Sequence, residues 1–221
     1  MALFERVTSR APTALRTYLV RQFHRPTGPV GHVVGRIMAT RSSNVSRNRW
    51  AVDQLEVGPT DRVLEIGFGP GVAIEALAAR VTEGVVFGID HSEVMVRAAG
   101  RRNARAVADG RVVLTAAGVA DVDDLAERLH PLDLVLAVNN AGMWPDPPAQ
   151  FRRLWSLLRP GGRIAIGNQP RIAGANVETA LRSADRIAAQ LTEAGFDAIE
   201  TRRLDLDPPM MLVIGTCPDH S

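Results

Sequence analysis

The string VLEIGFGPG, Val63 to Gly71, limits what this chain can fold into more than any other stretch. The β-forming residues up to Ile66 read as a strand, and Val72 to Arg80 read as a helix, so the strand passes straight into the helix through three alternating glycines. Glycine takes positive φ without a Cβ penalty and lets a ligand come close to the backbone. The first turn of the following helix offers unpaired N–H groups to a carboxylate or phosphate. Register then separates ligands. A dinucleotide fingerprint, Gly-x-Gly-x-x-Gly, would put a small residue at position 72, which is Val72; here the third glycine is Gly71, giving Glu65-x-Gly67-x-Gly69-x-Gly71. That spacing is wrong for NAD.

Around this turn the chain alternates short apolar runs with amphipathic stretches, the pattern of a doubly wound, mostly parallel α/β sheet. Strands are predicted over Arg62–Gly67, Val85–Asp90, Arg111–Thr115, Leu132–Val138 and Arg163–Gly167. Helices are predicted over Val72–Arg80, Ser92–Ala108 with Ser92 as N-cap, Val122–Leu129, Ala149–Leu158 and Asn176–Ala194, with Pro160-Gly161-Gly162 stopping the fourth before its strand begins. The tail, GFDAIETRRLDLDPPMMLVIGTCP, holds two strands parted by Asp207-Pro208-Pro209 with no room for a crossover helix. It therefore reads as a hairpin that closes the sheet with an antiparallel strand. Residues 1–50 read as a separate helical appendage with a Pro/Gly break at Arg25–Gly31, and residues 51–221 as the body.

Charge is divided along the same line. All 26 basic residues are arginine. Residues 1–50 carry nine of them and one glutamate, net +8, while residues 51–221 carry seventeen against twenty-three acids, net −6. Nucleic-acid binding needs clustered positive charge, so an acidic body argues against a nucleic-acid substrate despite the sequence pI of 9.4. The absence of lysine excludes a Schiff base, a P-loop and a Tyr-x-x-x-Lys dyad. The lone Cys217 cannot form an internal disulfide, no apolar run approaches membrane-spanning length, and no signal peptide is legible. A cytoplasmic location without stable membrane insertion is expected. Oligomeric state is not legible.

The glycine turn resembles motif I of the class I S-adenosylmethionine (SAM) dependent methyltransferases, and the resemblance extends over roughly residues 50 to 217. VVFGIDHS is similar to their second strand, LDLVLAVNNAGMWPDP to the fourth strand and the segment after it, LWSLLRPGGRIAIG to the helix, turn and fifth strand of the ubiquinone- and menaquinone-biosynthesis branch, and LTEAGFDAIETRR to the last helix and sixth strand. The resemblance implies a Rossmann-like seven-stranded sheet and SAM as cofactor. Gly67, Gly69 and Gly71 would line the methionine end with Glu65 near its amino group, Asp90 would accept from the ribose hydroxyls, and His91 and Ser92 would come next, beside the adenine. Where the family often has Gly-Asp-Ala after the third strand, this chain has Gly118-Val119-Ala120. Adenine would then rest on the backbone of Val119 and Ala120, with Asp121 the nearest acid able to replace the missing one.

A competing string is VNNAG, Val138 to Gly142, which also occurs after the fourth strand of short-chain dehydrogenases; that reading requires a Tyr-x-x-x-Lys pair, and the only tyrosine is Tyr18. A SAM-binding pseudoenzyme is the other alternative. For the methyl acceptor, a small molecule, candidate groups at the strand ends are Asn139, Asn140, Trp144, Asn168 and Gln169, with Asn139 also beside the cofactor. Asn139 and Asn140 have an equally good reading as turn residues that satisfy backbone. His32 and His24 are candidate bases in the appendage. The segment from Gly35 to Leu55 reads as a helical lid docked through Met38, Val45, Trp50 and Leu55, or else as a membrane-surface or transit helix. No His, Asp and Glu cluster has metal-ligand spacing.

Overall fold

The structure is a computed structural model that describes residues 42–218. His24, His32 and Met38 lie outside the described residues. Helix α1 (Ser42–Asp53) precedes β1 (Arg62–Ile66), α2 (Val72–Ala78), β2 (Val85–Asp90), α3 (Glu93–Arg102), α4 (Ala104–Ala108) and β3 (Val112–Ala116). Then come α5 (Ala126–Leu129), β4 (Leu132–Val138), α6 (Pro147–Leu157), β5 (Leu158–Asn168), α7 (Val177–Glu193), β6 (Asp197–Leu204) and β7 (Met210–Thr216). The seven strands are ordered β3-β2-β1-β4-β5-β7-β6. Every pairing from β3 through β5 is parallel, and β7 runs antiparallel to both β5 and β6. This is the expected sheet with its closing hairpin.

Side chains alternate between the two faces of a strand, so β1 serves two cores. Leu64 and Ile66 face the side where α6 and α7 pack, with Phe151, Leu154, Ile187 and Leu191. Val63 faces the other side, among Ile74 and Leu77 of α2, Val94 and Met95 of α3, and Ala51, Val52 and Leu55 at the end of the first helix. Glu65 shares the face of Val63, a polar residue in a buried row. The chain winds from β1 outward through β2 and β3, then returns to place β4 on the opposite side of β1. Such a reversal opens a crevice beyond the carboxyl ends of β1 and β4, where sheets of this kind bind ligands.

Four local expectations change. The long helix after Ser92 breaks at Asn103, whose Nδ2 bonds back to the Ala99 carbonyl at 3.0 Å and across to Gly71 at 3.2 Å, competing with the helical ladder. The helix expected from Val122 starts as a 3-10 turn over Asp123–Leu125. The turn Pro160-Gly161-Gly162 does not precede β5 but lies within it, as an irregularity that shifts the pairing from Leu132↔Leu158 to Leu134↔Arg163. Finally, α1 buries Arg47, Asn48, Ala51 and Val52, whereas Val45 and Trp50 are half-buried. Of the expected docking residues, Leu55 is buried and Trp50 packs partly buried against the same core, but the inner face is centred on Ala51 and Val52, and the division drawn at residue 50 falls inside this helix.

Because α1 is anchored by Ala51, Val52 and Leu55 in the same core as β1, its inner and outer faces should respond differently to substitution. Val52→Asp buries an unpaired charge at a fully buried position and should cost at least ~2 kcal/mol in urea unfolding. Asp53→Ala removes an exposed ion pair with Arg80 and should cost less than ~1 kcal/mol.

Candidate active site

At the end of β1 the backbone turns through three glycines with φ of 67°, 54° and 78° at Gly67, Gly69 and Gly71. Two of them are also required sterically. A Cβ on Gly67 would lie 2.5 Å from Nδ2 of Asn140, and one on Gly71 would lie 2.7 Å from the Ala99 Cβ of α3. Around Gly69, by contrast, there is open space. Its N–H donates to Asp90 Oδ2 at 2.9 Å, while the Ser92 N–H donates to Asp90 Oδ1 at the same distance. The glycine turn and the end of β2 are thus tied together through one carboxylate.

Glu65 and Asp90 lie at the carboxyl ends of adjacent strands, on one face of the sheet, and are 1% and 5% exposed. Burial, and then the neighbouring Asp90, push the Glu65 carboxyl up to about 8, with a backbone N–H from Ile74 working against them. Asp90 is also raised, by burial, against the opposing hydrogen bonds from Ser92 and Gly69 and the adjacent His91. Oε2 of Glu65 is buried and accepts no hydrogen bond from the described residues. An orphaned acceptor in so dry a position is costly unless the acid stays protonated or a donor arrives. The residues therefore fit a ligand with a cationic donor at the β1 end and hydroxyl donors at the β2 end.

The other predicted cofactor contacts divide. His91 is exposed, its Nδ1 4.0 Å from Asp90 Oδ1, and Ser92 stands at the N-cap position of α3. Val119 is buried in the core, and Ala120 is exposed. Asp121 turns back to accept from the Gly118 N–H at 2.7 Å, capping its own turn. One of its oxygens is thereby engaged locally.

Across the crevice, Asn140 acts as a brace. Its Nδ2 donates to the Ile66 carbonyl at 2.5 Å, joining the end of β4 to the end of β1, and its Oδ1 accepts from Trp144 Nε1 at 3.0 Å. Asn139 is left-handed, with φ of 58°, and its Oδ1 accepts from the Gln169 N–H at 2.7 Å; none of its described hydrogen bonds uses Nδ2. Asn168 reaches away to Ser183 of α7 at 2.8 Å. Gln169 is a junction that sequence reasoning only partly anticipated. Its Oε1 accepts from Arg47 Nη1 at 2.6 Å and its Nε2 donates to the Pro208 carbonyl at 2.7 Å, so α1, the β6–β7 hairpin and β5 meet there. Arg47 was not anticipated at all. A signal existed, since it stands four residues before Ala51 on the buried face of one helix. Among the described residues no group of three or more His, Cys, Asp or Glu side chains converges on a metal position.

Two outcomes test this geometry. An acid with a higher pKa in the folded chain than in the unfolded chain makes the fold lose stability as pH rises between the two values, here from 4.5 to about 8. Glu65→Gln should therefore melt above the wild type at pH 8.5 and level with it at pH 4.5 in thermal scans. Asn140→Ala leaves the Ile66 carbonyl and the Trp144 indole without the partner they share, and should cost about 1–3 kcal/mol in denaturant unfolding.

Comparison with known proteins bears on the same elements. A family model described as a methyltransferase domain matches residues 63–162, from β1 into β5. An uncharacterized methyltransferase, YdaC of Bacillus subtilis strain 168, is 31% identical over 178 residues, covering 80% of this chain and 93% of that protein. Nocamycin O-methyltransferase of Saccharothrix syringae is 34% identical over 119 residues, 53% of this chain and 41% of that one. A solved structure of a putative SAM-dependent methyltransferase from Methanococcus maripaludis shares the fold, with a TM-score of 0.64 at 19% identity over 85% of this chain and 91% of that one. The VNNAG string accordingly belongs to a different fold family from the dehydrogenases it resembles, and its second asparagine is spent bracing β1. With 80% of its length aligned to a methyltransferase at that identity, and with the glycine turn and both strand-end acids in place, the chain belongs to the class I SAM-dependent methyltransferases.

Proposed function

We propose that the chain transfers the methyl group of SAM to a small-molecule nucleophile. The observation that carries this reading is the pairing of the buried, unpartnered Glu65 Oε2 with Asp90 around the glycine turn. Glu65 would hold the amino group of the methionine moiety, Asp90 the ribose hydroxyls, and Gly67 to Gly71 the chain between them. Adenine would lie between His91 and the Val119-Ala120 turn. SAM supplies an electrophilic methyl carbon on a positively charged sulfur.

On the acceptor side the chain offers amides at the ends of β4 and β5, Asn139 and Gln169, and no carboxylate that the described hydrogen bonds bring to them. Such amides can hold the acceptor in line with the methyl carbon, about 3–3.5 Å away, so that positioning carries much of the rate. The similarity to nocamycin O-methyltransferase supports a small metabolite as acceptor, and the net charge of −6 over residues 51–221 argues against nucleic acid. The basic segment 1–50 is proposed to complete and cover the acceptor pocket. That role is supported by its charge, opposite to the body's, and by α1, whose Arg47 reaches Gln169. Among the described residues no helix is long and apolar enough to cross a membrane.

Calorimetry on the full chain should show binding of SAM and S-adenosylhomocysteine, no heat with NAD(H), and loss of SAM binding in Asp90→Ala while the fold is retained. Tritiated SAM should label a fractionated small-molecule extract far more efficiently than bulk tRNA, rRNA or DNA. An NAD isotherm, or labelling that favours nucleic acid, would overturn the reading.

A further inference from the structure

We propose that cofactor binding at this site is coupled to release of a proton from Glu65, which is a neutral acid in the empty protein and becomes the carboxylate counter-ion of the cofactor's ammonium group in the complex. The inference rests on the reading of the site given above. It begins from geometry. Glu65 is 1% exposed, on β1 beside Ile74 of α2, and its Oε2 accepts no hydrogen bond from the described residues. An ionised carboxylate in that position would be a desolvated charge with half its acceptor capacity unused.

Among the described residues no cation is a cause acting on it. From β2 the charged neighbour is Asp90, whose own negative charge opposes ionisation of Glu65. The one charged side chain of α2, Glu75, is half-exposed and lies within ion-pair distance of Arg49 and Arg102. In β4 the only titratable residue is Asp133, at the opposite end of the strand, where it pairs with Arg159. From α1, Arg47 bonds Gln169. His91 acts on Asp90. Burial and the like charge of Asp90 together keep the proton on Glu65 through neutral pH.

An arriving ammonium group reverses this balance, because it brings both the missing positive charge and the missing hydrogen-bond donor. The O–H bond of Glu65 breaks, its proton passes to the buffer, and the carboxylate and ammonium remain as a buried pair. Charge is conserved: a neutral acid and a cation become an ion pair and a free proton. Asp90 differs in degree, because the burial that raises it is opposed by more hydrogen bonds. Its two oxygens already accept from Gly69 and Ser92, so ribose hydroxyls add to bonds that favour its charged form. The proton thus tracks the amino-acid half of the cofactor and not the nucleoside half.

The test is calorimetric titration of the full chain with S-adenosylhomocysteine at pH 7, in phosphate and in Tris, whose ionisation enthalpies differ widely. The dependence of the observed heat on buffer counts the protons exchanged. Most of one proton should be released at pH 7, falling to about half near pH 8 and further above it. The comparison ligand is 5′-methylthioadenosine, which keeps the adenine and ribose but lacks the ammonium group. It should bind with almost no buffer dependence. Glu65→Gln should bind S-adenosylhomocysteine without proton release. Binding with no buffer dependence, or equal release with methylthioadenosine, would overturn the coupling while leaving the cofactor reading intact. Absence of S-adenosylhomocysteine binding in every buffer would overturn both.

Discussion

Two carboxyl groups buried side by side at the ends of adjacent parallel strands are the constraint on which the rest of this site depends. Glu65 and Asp90 occupy positions where the sheet would otherwise place apolar residues; burial raises the cost of ionising each, and the charge of Asp90 raises it further for Glu65. Most of the surrounding features reduce that cost. The backbone N–H groups of Gly69 and Ser92 hold Asp90, and the N–H of Ile74 reaches Glu65. The left-handed turn from Gly67 to Gly71 brings the Gly69 amide to Asp90, a path that residues with side chains rarely adopt. What the fold leaves unsatisfied, Oε2 of Glu65, is the group that a cationic ligand would meet.

The opposite wall of the crevice is organised by neutral amides. Asn140 spans from β4 to the Ile66 carbonyl and to Trp144, which packs against Phe151 of α6 with ring centroids 5.6 Å apart. The end of β1 is thereby held from both sides, by a carboxylate through the glycine turn and by an amide through the strand end. Gln169 performs the corresponding task one strand further out, linking α1 and the terminal hairpin to Asn139. A polar network of this kind resists deformation when every member is satisfied. Under the proposed function it would give a methyl acceptor a fixed surface, which a reaction driven by positioning needs.

Much of this was legible in the sequence because it rests on local patterns. Alternating apolar runs gave the bounds of β2 and β4, and the glycine register separated this turn from a dinucleotide loop. The double proline of the tail marked a hairpin that the sheet order confirms. What the sequence concealed depends on distant partners. Asn140 read equally well as a ligand group or a turn residue, because only the fold reveals that Ile66, 74 residues earlier, takes its amide. The break at Asn103 requires Gly71 on another element, and the buried Arg47 requires Gln169, 122 residues away. The inner face of α1 was read only in part for a related reason: Leu55 and Trp50 do meet the core, but its centre is taken by the smaller Ala51 and Val52.

The central claim is that Glu65, the glycine turn and Asp90 together form the seat of the methyl donor. A crystal structure of the full chain grown with S-adenosylhomocysteine tests it most directly. The account predicts the amino group of the ligand within hydrogen-bond distance of Glu65 and both ribose hydroxyls on Asp90, with the methionine portion running along Gly67 to Gly71. A ligand seated elsewhere on the sheet, or one that leaves Glu65 Oε2 as buried and unpartnered as it is here, would contradict it.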